Sequence, residues 1–182
     1  MRQLPISHSD FAYVRRNGYY YVDKSLLIRD IIDSAGVCLI TRPRRFGKTL
    51  NLGMLRYFYT NAEDYRDCFE GLQIMQTGER YLSKMGQYPV IYLSLKGVRQ
   101  SSWEEAAFML RSALLDCLRE HNYLLDWSEI SPEEEQLFQH LEAEDGDVQR
   151  VKSFLGTLSK ALKRYHGQPV VILIDEYDAP AV

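Results

Sequence analysis

Three short apolar runs stand out from the polar background of the chain, at residues 37–41, 89–95 and 170–174. The first run lies between Gly36 and Pro43, and both residue types often bound regular elements. Strands of a parallel sheet carry helices over both faces, so they are apolar throughout and do not alternate. The runs therefore predict three parallel strands that are buried on both faces.

The segments between these runs have the apolar spacing of helices. Residues 24–34 follow Asp23 as a candidate N-cap and stop at Gly36, and residues 48–60 follow the first run closely. Further helices are predicted at residues 102–123, 132–142 and 148–166. Strands that alternate with helices favour an α/β fold with a parallel sheet.

The composition favours a soluble globular domain, because 46% of the 182 residues are hydrophobic and 26% are charged. No window approaches the roughly 18 apolar residues of a membrane helix, and the N-terminus lacks the apolar stretch of a signal peptide. We therefore expect a cytoplasmic protein with no membrane partner. Cys38, Cys68 and Cys117 form no C-x-x-C pair, which favours reduced thiols over disulfides or a zinc site.

The distribution of charge restricts where an anion could bind. The formal net charge of −3 gives no general attraction to nucleic acid or to anionic membranes. Between Arg119 and Arg150 the chain holds acids and no Lys or Arg, which we interpret as a solvated surface. A basic cluster precedes the second predicted helix, and it comprises Arg42, Arg44, Arg45 and Lys48. An anion site is expected at this cluster.

The basic cluster occupies a loop that ends in Gly47, Lys48 and Thr49. Backbone N–H groups at a helix start carry partial positive charge and bind phosphate. Gly47 allows a close approach, Lys48 can reach the β and γ phosphates, and the Thr49 hydroxyl can coordinate Mg²⁺. The pattern G-x-x-x-x-G-K-[ST] begins with Gly, however, where this chain has Arg42. The predicted nucleotide-binding residues are Arg44, Arg45, Phe46, Gly47, Lys48, Thr49 and Leu50.

A second signal lies at the end of the third apolar run, where Asp175 and Glu176 follow. P-loop ATPases place such a pair after an apolar strand, the first acid near Mg²⁺ and the second able to polarise water. In a parallel sheet the loops that follow the strands share one edge, where ligands bind. We therefore predict Thr49 and Asp175 as metal ligands and Glu176 as the catalytic residue, with ATP and Mg²⁺ as cofactors.

With these motifs the chain resembles the AAA-ATPase-like proteins of prokaryotes. The matching segments span nearly the whole chain in the right order, at residues 4–6 with 10–11, 18–25, 41–49, 88–93 and 173–178. In this family the loop is written RPRRFGKS or RPRRFGKT, so Arg42 follows the family's own pattern.

The resemblance implies ATP binding through a Walker A loop at residues 42–49, a Walker B strand at residues 170–176, and the three-layer α/β/α fold of P-loop NTPases. Members are often joined to a C-terminal nuclease-like domain of the PD-(D/E)XK type. Nucleic acid is expected as a partner only through such a domain.

Two features beside the loop have more than one interpretation. Arg44 and Arg45 can contact phosphate or reach a neighbouring subunit, or they can remain solvated. Tyr20, Tyr21 and Asp23 precede the first predicted helix of the α/β pattern, near where related ATPases place the adenine base. Packing is the favoured role of the tyrosine run.

The resemblance also implies further sequence after this chain. AAA-related ATPases add two strands beyond the Walker B strand, one of them between the strands that carry the two motifs. Residues 1–182 would then be the N-terminal part of the domain, truncated after Walker B, with an incomplete sheet. We therefore expect weak stability or a homo-oligomer.

Three functions are consistent with these residues. ATP binding with Mg²⁺-dependent hydrolysis is the primary hypothesis. A nucleotide-gated binding or scaffold module with negligible turnover is the first alternative. A P-loop phosphotransferase acting on a small molecule is the second, and it is disfavoured because the pair Asp175 and Glu176 suits water activation.

Overall fold

The computed structural model describes residues 3–6, 8–34, 36–41, 43, 46–142 and 153–177. The chain divides into two compact units, Met1–Val90 and Ile91–Val182. It is a mixed α/β structure with several helices and a small parallel sheet of two strands. Within the described ranges, no helix is long and apolar enough to cross a membrane.

The first unit is a small helical assembly around an aromatic core. Phe11 is fully buried on the first helix, and its ring lies 5.1 Å from that of Phe69. The first and third helices pack together at Gly53, where an added Cβ would make ordinary van der Waals contact with the Cβ of Phe11 at 3.7 Å. The helices are α1 (Phe11–Arg16), α2 (Leu26–Asp33), α3 (Lys48–Tyr59) and α4 (Glu79–Leu82), with 3₁₀ turns at Arg66–Phe69 and Gln73–Gln76.

The second unit contains the sheet, three longer helices and a 3₁₀ turn at Asn122–Leu124. Its core joins the strand residues Ile91 and Leu93 to helical side chains such as Phe138, Phe154 and Leu158. The elements are β1 (Val90–Ser94), α5 (Trp103–Arg119), α6 (Pro132–Glu142), α7 (Phe154–His166) and β2 (Val171–Asp175). The predicted strands at residues 89–95 and 170–174 therefore exist as β1 and β2.

The predicted strand at residues 37–41 is wrong. These residues have irregular backbone, and the side chains of Val37 and Leu39 are 99% and 63% exposed. A strand needs a neighbour that accepts and donates its ladder hydrogen bonds, and no described strand pairs with this segment. Apolar character alone does not supply that neighbour.

The prediction that every strand is buried on both faces is also wrong for β2. Leu173 and Asp175 are buried, but the alternate side chains Ile172 and Ile174 are 43% and 40% exposed. Because successive side chains of a strand point to opposite faces, one face of β2 is covered and the other is open.

Candidate functional site

Gly47 forms the turn between the basic loop and α3. Its backbone has φ 75° and ψ 27°, in the left-handed region that glycine adopts without a steric penalty. The Gly47 carbonyl accepts a 2.9 Å hydrogen bond from the N–H of Asn51, so the helix starts directly after it. Lys48 and Thr49 are consequently the first two residues of a 12-residue helix.

The start of α3 presents positive charge without a compensating acid. Its first turn contains no acidic residue, and Gly47 has no side chain that could cap it. The backbone N–H groups of Lys48, Thr49 and Leu50 donate to no other described residue. Such orphan N–H groups and the helix dipole favour an anion at this position.

Five of the predicted nucleotide-binding residues, Phe46 to Leu50, lie at the start of α3, and their contact with nucleotide stays a prediction. Phe46 is exposed, whereas Lys48, Thr49 and Leu50 are half-buried. Lys48 forms no ion pair with any described carboxylate. Arg44 and Arg45 lie outside the described residues, so their predicted contact with phosphate stays a prediction.

Lys24 is a neighbour of the loop that sequence reasoning missed. Its Nζ lies 3.5 Å from the carbonyl oxygen of Phe46, and a Cβ on residue 47 would lie 4.0 Å from the same Nζ. A signal was available, because Lys24 belongs to the segment at residues 18–25 that carries part of the family resemblance.

The residues on either side of Lys24 are held by a distant segment. Asp23 accepts hydrogen bonds from the backbone N–H groups of Ser25 and Gln73, both at 2.8 Å. The buried Ser25 hydroxyl accepts one from the N–H of Ile74 at 3.1 Å. Burial acts to raise the pKa of Asp23, but the hydrogen bonds from Ser25 and Gln73 outweigh it and lower the pKa overall.

α2 begins at Leu26, two residues later than predicted, and Ser25 occupies its N-cap position without a side-chain capping bond. Asp23 does accept the N–H of Ser25, as a capping side chain would, and it also accepts the N–H of Gln73 at the start of a 3₁₀ turn. Of the two tyrosines considered for adenine, Tyr21 packs in the core. Its hydroxyl lies 3.3 Å from the Met54 sulfur, and burial raises its pKa to about 12.

The acid pair follows β2 in the second unit. Asp175 is only 6% exposed, and its carbonyl accepts a 3.0 Å hydrogen bond from the N–H of Leu95 as part of the sheet. Its carboxylate oxygen Oδ1 accepts the N–H of Glu176 at 3.0 Å. Oδ2 accepts no hydrogen bond from the described residues, which leaves it available to a cation.

Glu176 has φ 53°, the left-handed conformation that residues with a Cβ seldom adopt. Such a conformation costs on the order of 1 kcal/mol and persists where the surrounding structure enforces it. Here the bond from its N–H to Asp175 fixes the turn immediately after the strand. The two acids are thus held in a defined relation to each other.

The residues predicted to hold Mg²⁺ have suitable chemistry. Magnesium prefers oxygen ligands and commonly takes one or two from protein, the rest from phosphates and water. The Thr49 hydroxyl and the free Asp175 oxygen fit that pattern. Thr49 belongs to the first unit and Asp175 to the second. Among the described residues, no group of three or more His, Cys, Asp or Glu side chains is arranged to hold a metal.

Comparison with known proteins gives one family and one distant relative. The family model described as "Predicted AAA-ATPase" matches residues 5–182. A protein of Azotobacter chroococcum mcd 1, described as "Uncharacterized protein in vnfD 5'region", is 27% identical over 180 residues. The match covers 98% of this chain but 30% of that protein, so the chain spans under a third of its relative. No solved structure matches the chain significantly.

Proposed function

Since the chain belongs to the predicted AAA-ATPase family, we propose that it binds ATP with Mg²⁺ and hydrolyses it. The observation that carries the proposal is the left-handed turn at Gly47. The helix α3 begins directly after this turn with Lys48 and Thr49, and its first turn contains no acidic residue. A glycine turn, orphan N–H groups and a lysine at a helix start together form a phosphate site. The proposal includes the P-loop NTPase fold. Within it, residues 1–182 carry the Walker A loop and the Walker B strand.

Phosphate binding is assigned to the loop and to the start of α3. The N–H groups of Lys48, Thr49 and Leu50 bind phosphate oxygens, and the Lys48 ammonium neutralises the β and γ phosphates. Arg44 and Arg45 add positive charge from the preceding positions. Phe46 and Leu50 flank the phosphate chain.

Thr49 and Asp175 hold Mg²⁺ in the proposed complex. The ion supplies charge neutralisation at the phosphates. Asp175 suits this role because its buried carboxylate is oriented by the N–H of Glu176 and keeps one oxygen that accepts no hydrogen bond from the described residues. Glu176 accepts a hydrogen bond from the attacking water and orients it.

The first experiment measures Mg²⁺-ATP binding to the 182-residue chain by calorimetry. Lys48→Ala should weaken binding at least about tenfold, because a charge-assisted contact is worth roughly 1.5–3 kcal/mol. Lys84→Ala is the matched control, since it removes a lysine of the same unit that has no described contact with the loop. Equal affinity of the Lys48→Ala and wild-type proteins would overturn the phosphate assignment.

The second experiment separates hydrolysis from nucleotide-gated binding. Phosphate release is followed with Mg²⁺ and with EDTA, in the wild type and in Glu176→Gln. Release that needs Mg²⁺ and disappears in Glu176→Gln supports hydrolysis. Saturable binding without any release supports the gated module, and a phosphorylated acceptor in the product mixture would indicate a phosphotransferase.

A further inference from the structure

We propose that Lys24 is a second phosphate-contacting lysine, which adds its charge to that of Lys48 and raises the affinity for nucleoside polyphosphates. This inference rests on the proposed nucleotide site and names a further residue in it. Its starting point is the position of the Lys24 ammonium, 3.5 Å from the Phe46 carbonyl oxygen beside the Gly47 turn.

The contact with Phe46 does not by itself account for Lys24. A separation of 3.5 Å is at the long limit for a hydrogen bond and gives little stabilisation. An ammonium has three donors, and one long contact leaves most of its capacity for another acceptor. Lys24 is also exposed, so its side chain loses rotamer freedom when it is held at the loop.

Electrostatics makes the arrangement unfavourable without an anion. A cation beside the N-terminus of a helix is repelled by the helix dipole, and the Lys48 ammonium belongs to the same helix start. In the described part of the chain, no carboxylate forms an ion pair with Lys24. The adjacent Asp23 carboxylate is already occupied by two backbone N–H groups.

The backbone that carries Lys24 is nevertheless firmly anchored. Asp23 and Ser25 accept the first two N–H groups of the 3₁₀ turn at Gln73–Gln76, so both neighbours of Lys24 are fixed to one segment. Because the residues before and after Lys24 are anchored, its backbone is held at a position from which the side chain reaches the loop. A polyphosphate bound at Gly47 would supply the negative charge that no described carboxylate supplies to Lys24 through an ion pair.

Neutralisation of Lys24 should therefore weaken nucleotide binding and leave the fold intact. Calorimetric titrations with Mg²⁺-ATP compare the wild type with Lys24→Met, Lys24→Arg and the control Lys84→Met. Lys24→Met should raise the Kd about tenfold, in line with the loss of a charge-assisted contact. Lys24→Arg should stay within about threefold of the wild type, and Lys84→Met should not change.

The salt dependence of the Kd provides a readout that a purely structural role would not alter. The affinity of the wild type should fall more steeply with NaCl than that of Lys24→Met, because one phosphate-contacting charge is missing in the variant. Thermal unfolding midpoints verify that each variant is folded, and Lys24→Gln serves as a second neutral variant.

The outcomes separate the two proposals. If the wild type shows no saturable ATP binding, the proposed function fails. If it binds ATP and Lys48→Ala weakens binding, but Lys24→Met and Lys24→Gln match the wild type in Kd and salt dependence, the inference about Lys24 alone is overturned.

Discussion

The Asp23 carboxylate accepts the backbone N–H of Gln73 at 2.8 Å, across 50 positions of sequence. Its other oxygen accepts the N–H of Ser25 at the same distance. One side chain therefore joins the segment before α2 to the 3₁₀ turn at Gln73–Gln76, and it orders the backbone from which Lys24 extends.

We expect Asp23→Ala to lower the free energy of unfolding by about 1–2 kcal/mol, because two backbone donors lose a charged acceptor.

The destabilisation caused by Asp23→Ala should be smaller in acid. The folded-state pKa of Asp23 is lowered, so its stabilisation is full above the unfolded pKa and is lost as pH falls below it. Urea unfolding of the variant and of the exposed control Asp126→Ala, at pH 7 and at pH 3, measures both effects. A destabilisation of equal size at the two pH values would contradict the assignment.

Opposite effects on stability are predicted for Ala at two glycines. Gly47→Ala should cost roughly 1–2 kcal/mol, since its φ of 75° disfavours a Cβ even though space is available. Gly156→Ala should instead stabilise the protein by about 0.5–1 kcal/mol, because Gly156 lies inside α7 with nothing within 4 Å of the added Cβ. Thermal unfolding of both variants provides the comparison. A stabilised Gly47→Ala protein would show that the turn is not held in the left-handed conformation.

Glu134 joins α6 to α7 through a two-pronged contact with Arg164. Both guanidinium-to-carboxylate distances are 2.8 Å, and the Glu134 carboxylate also accepts the N–H of Ser131 at 2.9 Å in a capping box. We expect Glu134→Gln to cost about 1–2 kcal/mol, since the buried acid loses its charge. Glu133→Gln, one residue earlier and exposed, should have no measurable effect in urea unfolding. Equal stability of the two variants would contradict this role for the pair.

The stability of the second unit should fall as pH decreases below about 6.5. Burial lowers the pKa of His166, whose Nε2 lies 2.8 Å from the Tyr123 hydroxyl. Because the folded pKa lies below the unfolded one, the unfolded chain binds more protons in this range. The stabilisation is therefore complete above the unfolded pKa and decreases as pH falls toward the folded pKa. Between pH 7.5 and 5.5, the urea midpoint of the wild type should fall with decreasing pH more steeply than that of His166→Gln. An equal pH dependence of the two midpoints would contradict this role of His166.

The helix after the loop could be predicted from sequence because its determinants are local. Gly47 allows the turn, and the apolar spacing from Leu50 onward places one face toward the core. Residues 37–41 could not be assigned in this way, since a strand depends on a hydrogen-bonding neighbour that no local pattern encodes. The sequence shows an apolar run in both β1 and this segment, but only β1 has a paired strand.

The same distinction explains what was missed at the site. Asp23 directly precedes the predicted helix, so the sequence predicts a cap, but nothing in that pattern indicates that the carboxylate also accepts an N–H group from residue 73. The position of Lys24 depends on that long-range contact and was therefore not visible from spacing. The nucleotide and metal residues were predicted by motif and by family resemblance, which local physics alone does not supply.

The left-handed backbone at Glu176 makes glutamate an unfavourable residue for the turn that follows β2. Glycine, or to a lesser degree asparagine, adopts a φ of 53° more readily than glutamate does. A Glu176→Gly protein should therefore melt at a higher temperature than the wild type. Under the proposed function, the stability that glutamate costs at this turn is balanced by a carboxylate that orients the attacking water.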